Sequence, residues 1–142
     1  MLFRSTVSLG GTATSIGNLT LSNVTISSGS VSNVAIGAAI TTKTSAYTAT
    51  SSDETILGNA STGAFSVTLP TAVGASGKSY VVKKIDSSAN AVTIATTLSQ
   101  TIDGTTTKAL SFQYDGVQVQ TDGANWFIIA NTFGRNGTAG TF

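Results

Sequence analysis

Residues 64–69 read Ala-Phe-Ser-Val-Thr-Leu, a stretch in which large apolar side chains alternate with hydroxyl-bearing ones. Successive side chains of a β-strand point to opposite faces. The alternation therefore places Phe65, Val67 and Leu69 on one face and the two hydroxyls on the other. Residues 117–120, Val-Gln-Val-Gln, alternate in the same way. Both stretches predict strands with one buried face.

The rest of the chain extends this β pattern over one domain. Its 142 residues fit one compact domain with a short appendage. Apolar residues rarely recur at helical spacing, so we expect almost no helix. Short strands separated by turns predict an antiparallel β-sandwich or jelly-roll-like domain over residues 45–131. The candidate strands are residues 47–50, 54–58, 64–69, 79–85, 91–94, 101–102, 108–114, 117–121 and 126–130.

The inward-facing apolar residues of these strands define a predicted core. The turn at residues 122–125, Asp-Gly-Ala-Asn, is the strongest hairpin signal, because Gly and Asn accept positive φ and Asp bonds its own backbone. The predicted core residues are Ile56, Phe65, Val67, Leu69, Tyr80, Val82, Ile85, Val92, Ile94, Ile102, Leu110, Phe112, Val117, Val119, Trp126 and Ile128.

A five-residue repeat covers residues 18–37, and an apolar residue holds the fourth place of every unit. Such a period predicts a stacked or coiled β structure, here a stem over residues 16–44. Burial of so few apolar side chains does not offset the entropy of ordering the segment, so we expect several copies to wind together as a homotrimer. The alternative is a Ser/Thr-rich linker with an accidental period. The predicted oligomerisation residues are Leu19, Leu21, Val24, Ile26, Val31, Val34 and Ile36.

The two ends of the chain lack a regular pattern. Residues 1–15 form a small-residue arm that we expect to be ordered only by a partner. Residues 132–142 are Gly-rich and are interpreted as a flexible arm or an interface strap. The sequence has neither the apolar run of a secretory signal nor that of a membrane helix, so no membrane partner is expected. The predicted attachment residues of the arm are Leu2, Phe3, Val7 and Leu9.

Charge and composition argue against several functions. Only 9% of residues are charged and the net charge is +1, which gives no electrostatic reason to expect nucleic-acid binding. The adjacent Lys83 and Lys84 are interpreted as solvated strand residues. Cys and His are absent, so the usual metal ligands and the commonest general base are missing. We therefore predict no catalytic residue, no metal and no cofactor.

Two motifs that resemble enzymatic sites have simpler explanations. Residues 72–79 fit a relaxed phosphate-loop pattern, but that pattern binds phosphate only when a helix follows, and residues 80–85 predict a strand. Asp53 and Glu54 are adjacent carboxylates, yet neighbours on a strand point to opposite faces and do not converge on a sugar. The Asp residues at turns lack the spaced oxygen ligands of a calcium loop.

Exposed aromatic residues could stack on a sugar ring. Tyr47, Tyr114 and Trp126 are the candidates, and for Trp126 we favour packing in the core.

The order of several motifs resembles a known family. These are Tyr47-Thr-Ala-Thr50, Thr55-Ile-Leu-Gly-Asn-Ala60, Ala64-Phe-Ser-Val-Thr-Leu-Pro70, Gly77-Lys-Ser-Tyr-Val-Val-Lys-Lys-Ile-Asp86, Asn90-Ala-Val-Thr-Ile94, Thr101-Ile-Asp-Gly104 and Asp122-Gly-Ala-Asn-Trp126. With them, residues 47–129 resemble a β domain that recurs in virion proteins of tailed bacteriophages, including fibres and decoration proteins. Residues 29–37 are similar to Gly-Thr-Ile-Asn-Asn-Thr-Pro-Ile-Gly repeats of phage fibre stems, with Ala35 where such stems often have Thr or Pro.

The resemblance implies a homotrimeric structural component of a virion, assembled in the host cytoplasm and bound to capsid or other virion proteins. Because receptor-binding fibres are usually much longer, the short chain favours a capsid decoration, cement or head-fibre protein attached by residues 1–15. One alternative is a short tail-fibre or tail-tip adhesin whose partner is a host surface glycan. A small hydrolase that uses Asp53 and Glu54 is the other.

Overall fold

The computed structural model describes residues 38–133. In this range the regular secondary structure consists of β-strands, with no helix. The strands are β1 (Ile40–Lys43), β2 (Tyr47–Thr48), β3 (Thr55–Gly58), β4 (Phe65–Thr68), β5 (Ser79–Lys84), β6 (Val92–Ala95), β7 (Thr107–Leu110), β8 (Gly116–Thr121) and β9 (Trp126–Thr132). A five-stranded sheet has the order β1-β3-β5-β8-β9, and a four-stranded sheet has the order β2-β4-β6-β7. The predicted all-β character is confirmed for the described residues.

The first six strands wind as a coil between the two sheets. Strands β1, β3 and β5 are parallel in the five-stranded sheet, and β2, β4 and β6 are parallel in the four-stranded sheet. The last three strands pair antiparallel: β7 with β6, β8 with β5, and β9 with β8. Each sheet keeps two edge strands, so the described residues form two mixed sheets and not a closed barrel.

The predicted antiparallel pairing of a sandwich or jelly roll is therefore wrong for half of the domain. The turns at residues 59–64, 69–78 and 85–91 connect strands of different sheets, so that successive strands of one sheet run parallel. A two-residue period determines which face of a strand is buried but does not identify the neighbouring strand. The hairpin at residues 122–125 joins β8 to β9 as predicted.

The loops gather at two opposite ends of the domain. Residues 44–46, 59–64, 85–91 and 111–115 lie at the end that we call the upper end, and residues 49–54, 69–78, 96–106 and 122–125 lie at the lower end. Because β1, β3 and β5 run in parallel from the lower to the upper end, the described chain enters at the lower end. It leaves at the upper end, since β9 runs in the same direction as β5.

The core lies between the two sheets. Twelve of the sixteen predicted core residues are buried, Phe65 and Ile128 pack against them, and Trp126 is fully buried. The Trp126 and Tyr80 rings are tilted against each other with centroids 5.6 Å apart, an arrangement that aromatic pairs favour. Gly58 lies where β3 approaches β6 so closely that a Cβ at this position would be only 2.7 Å from Val92 Cγ2. A larger residue would clash there.

Two predicted core residues are placed differently. Phe112 is 63% exposed, because β7 ends at Leu110 and residues 111–115 form a turn. Ile85 is half-buried and follows the last residue of β5.

Several predictions fall outside the described residues. These are the attachment arm with Leu2, Phe3, Val7 and Leu9, the oligomerisation residues Leu19, Leu21, Val24, Ile26, Val31, Val34 and Ile36, and residues 134–142 of the tail. Residues 40–43, at the end of the predicted stem, form β1 and pair with β3. Thr132, the first residue of the predicted tail, ends β9.

Candidate interaction surface

The outer face of the five-stranded sheet is almost uncharged. Strand alternation directs Ile56, Val82 and Val117 into the core, so the residues between them face outward. Among the outward residues of the described strands, Lys83 carries the only charge. The others are apolar, hydroxyl or amide residues: Ile40, Thr42, Thr55, Leu57, Ser79, Val81, Gln118, Gln120, Phe127, Ala130 and Thr132. Interface centres are depleted in charge in the same way.

Strand β9 forms one edge of this face and carries much of its exposed apolar surface. Phe127 is 42% exposed and Ile129 57%, and Phe133, the residue after β9, is 66% exposed. The pairing of β8 with β9 shifts register between Gln118 and Val119, so Ile129 is an extra residue of a β-bulge. An apolar edge strand is a surface on which another chain can add.

The upper part of the face contains a shallow concavity of about 230 Å³. Val81, Lys83, Gln118, Asn131 and Thr132 are among its lining residues. Gly116 also lines it, and a Cβ on this glycine would lie 3.0 Å from Thr132 Oγ1. A larger residue at this position would crowd the wall of the concavity.

A braced turn at residues 111–115 adjoins this concavity. The backbone amides of Ser111 and Phe112 donate to Asp115 Oδ2 over 3.1 and 2.9 Å. The amide of Tyr114 donates to the Lys84 carbonyl over 2.8 Å, and Tyr114 has a φ of 67°. The turn thus holds two aromatic residues outward, with Phe112 63% and Tyr114 51% exposed.

A buried ion pair ties the upper loops together. Lys84 is fully buried, and its Nζ lies 2.6 Å from Asp86 Oδ1. Asp86 also accepts hydrogen bonds from the amides of Ala60 and Ser88. Burial acts to raise the pKa of Asp86, but the Lys84 ammonium and these donors outweigh it and hold the pKa well below its ordinary value. The pair joins β5 to two loops and is positioned to stabilise the fold.

Hydroxyl groups surround a second buried carboxylate, at the lower end. Asp53 Oδ2 accepts from the Tyr47 hydroxyl and from the amide and hydroxyl of Thr50, each over 2.8 Å. Burial opposes ionisation, yet these donors and the charge of Lys43 lower the pKa of Asp53. The hydrogen bond to Asp53 raises the pKa of Tyr47. Tyr80 donates its hydroxyl to the Thr50 carbonyl over 2.9 Å, so the network joins the first loop to β5.

The residues considered for enzymatic sites are engaged in structural contacts. The phosphate-loop-like segment is a loop followed by β5, as predicted. Its Lys78 Nζ binds Glu54 Oε1 at 2.7 Å and the Asp53 carbonyl at 2.9 Å. Within residues 38–133 no three Cys, Asp or Glu residues cluster as metal ligands. The same residues contain no helix long and apolar enough to cross a bilayer.

The three aromatic candidates for sugar stacking differ in their exposure to solvent. Trp126 is buried in the core, as favoured from the sequence, and Tyr47 is half-buried with its hydroxyl on Asp53. Tyr114 is exposed, and Phe112, which was assigned to the core, lies beside it on the same turn.

The structural role of Lys84 was not expected from the sequence, from which both adjacent lysines were interpreted as solvated. Neighbours on a strand face opposite sides, however, and Tyr80 and Val82 already point inward. Lys84 continues that inward row, and Asp86 lies two residues further along the chain. This combination was the available signal for a buried ion pair.

No protein-family model matches the chain, and a search of curated proteins found no match.

Proposed function

We propose that the protein is a non-enzymatic structural component of a tailed-phage virion, most simply a capsid decoration, cement or head-fibre protein. Residues 1–15 attach it to a capsid or other virion protein, and residues 16–44 hold three copies together. The domain that follows projects from the particle. The resemblance of residues 47–129 to virion β domains supports this proposal.

The observation that carries the proposal is the outer face of the five-stranded sheet. It combines an almost uncharged surface with exposed apolar residues on the edge strand β9. Association through apolar area and strand addition requires no charge and no catalytic group. The charged side chains Lys84 and Asp86 are buried and bind each other, so they add no charge to this face.

Deletion of residues 1–15 tests the attachment. We expect the truncated protein to remain trimeric by light scattering and to be lost from particles assembled in its presence. A full-length protein with Leu2, Phe3, Val7 and Leu9 changed to Ser serves as a second variant with the chain length preserved. Truncated protein that still decorates particles would contradict the role of the arm, and a monomeric full-length protein would contradict the stem.

A short tail-fibre or tail-tip adhesin is the second candidate. The exposed Phe112 and Tyr114 at the upper end favour it, because aromatic residues held outward on a braced turn are suited to ligand recognition. The two candidates share the same oligomer and differ in what the upper end contacts.

A further inference from the structure

We propose that the turn at residues 111–115 and the adjoining upper concavity form a carbohydrate-binding site. In it a pyranose ring stacks on Tyr114 and Phe112, and its hydroxyls reach the polar groups of Lys83 and Gln118. The site is independent of where the protein is attached, so it applies to a decoration protein and to an adhesin alike.

The turn is braced by hydrogen bonds and directs its aromatic residues to solvent. Asp115 is buried, and its carboxylate accepts hydrogen bonds from the backbone amides of Ser111 and Phe112. Gln113 Nε2 donates a further hydrogen bond to the Ile85 carbonyl over 3.1 Å. Tyr114 adopts a backbone conformation that is unfavourable for a residue with a bulky side chain. Such a conformation persists only where surrounding contacts hold it, and the preorganised ring loses little entropy on binding.

Two contacts connect the turn with the concavity. Lys83 Nζ lies 5.6 Å from the centroid of the Tyr114 ring, and Thr132 Oγ1 lies 3.4 Å from the Tyr114 carbonyl oxygen. Lys83 and Thr132 both line the concavity. Tyr114 and the concave surface therefore belong to one site, and Phe112 lies two residues before Tyr114 on the same turn.

The concavity is lined by polar side chains that are available to a ligand. Among residues 38–133, the side chain of Gln118 has no hydrogen-bond partner, and Lys83 forms no ion pair and has its Nζ near the Tyr114 ring. The floor between them is apolar, with Val81 and Ala130. Apolar rings and a floor beside free amide and ammonium donors match a ligand with one apolar face and a rim of hydroxyls, which is the surface pattern of a sugar.

The test uses the full-length protein on an array of bacterial and mammalian surface oligosaccharides, followed by calorimetric titration of the oligosaccharide that binds best. The key variant is Tyr114→Gly, because glycine adopts the positive φ without strain and removes only the ring. We expect it to weaken binding by about tenfold, as loss of one stacked ring does. Phe112→Ala should weaken binding as well.

The matched control is Leu98→Gly. Leu98 also has a positive φ of 56° and is 86% exposed, but it lies at the lower end of the domain. We expect this variant to bind like the unmodified protein. The proposal is overturned if no oligosaccharide binds, or if the Tyr114 and Phe112 variants bind as well as the Leu98 control. Attachment to particles is measured separately, so failure here leaves the structural role intact.

Discussion

The upper and lower ends of the domain hold their loops together by different means. At the upper end, the fully buried Lys84 pairs with Asp86, and that carboxylate also binds the amide of Ala60. At the lower end, the side-chain amide of Gln100 binds residues 71 and 72, and Asn125 accepts the amide of Thr101. The upper end therefore depends on a buried pair of opposite charges, whereas the buried carboxylate of Asp53 at the lower end, like the amides of Gln100 and Asn125, binds neutral partners.

This difference implies unequal vulnerability. A buried ion gains its stability from its partner, and removal of that partner leaves an uncompensated charge in a medium of low polarity. A neutral hydrogen bond that is lost leaves a much smaller desolvation penalty. We therefore expect single substitutions to be more costly at the upper end.

Asp86→Ala should have the largest effect. It leaves the Lys84 ammonium without its carboxylate and the Ala60 amide without an acceptor, and we expect the free energy of unfolding to fall by about 3–5 kcal/mol. Chemical denaturation measures the loss. Glu54→Ala is the control, because it removes a half-exposed ion pair with Lys78 and should cost less than about 1 kcal/mol. Equal losses of stability in the two variants would contradict the claim that the buried ion pair makes the upper end more vulnerable.

Gln100→Ala tests the lower end and should have an intermediate effect. The substitution removes the acceptor of the Ala72 amide, 2.9 Å away, and the donor to Thr71 Oγ1. Because Ala72 is buried, we expect a loss of about 1–3 kcal/mol in the same measurement. Gln120→Ala, which removes one exposed hydrogen bond to the Gly77 carbonyl, is the matched control. A loss as large as that of Asp86→Ala would show that charge is not what matters.

We expect the smallest difference between the two ends in how acid changes the free energy of unfolding. Both carboxyls, Asp86 and Asp53, have a folded-state pKa below the ordinary value of 3.8. The unfolded chain therefore binds protons first, so their stabilisation is complete above about pH 5 and is lost as the pH falls through and below about 4. Unfolding measured at pH 7 and at pH 3 should show a smaller pH dependence for Asp86→Asn than for Asp53→Asn. The same dependence in both variants and in the unmodified protein would contradict this.

The sequence predicts individual strands much better than their arrangement. Alternation located β4 and β8, because period two is a local property of the chain. Parallel pairing depends on which strands meet across a coil, and no local pattern encodes it. Strand β1 was overlooked because residues 40–43 were included in the preceding stem.

The candidate sugar site was only partly predictable. Tyr114 was recognised as a candidate from its aromatic ring alone. Phe112 was assigned to the core because it continues the apolar pattern of Leu110, but Asp115 binds the preceding amides and ends the strand. The concavity brings together residues from β5, β8 and β9, and their proximity follows from sheet order, which the sequence did not reveal.

The position of the two outer strands of the five-stranded sheet has a mechanical consequence. The chain enters β1 at the lower end and leaves β9 at the upper end, and the two strands lie at opposite edges of the sheet. A pulling force between entry and exit acts along the strands, so the interstrand hydrogen bonds of each ladder are loaded in shear and must fail together, not one after another. A domain that is anchored at one end and dragged by the flow of solvent or by a bound surface would thereby resist being unravelled.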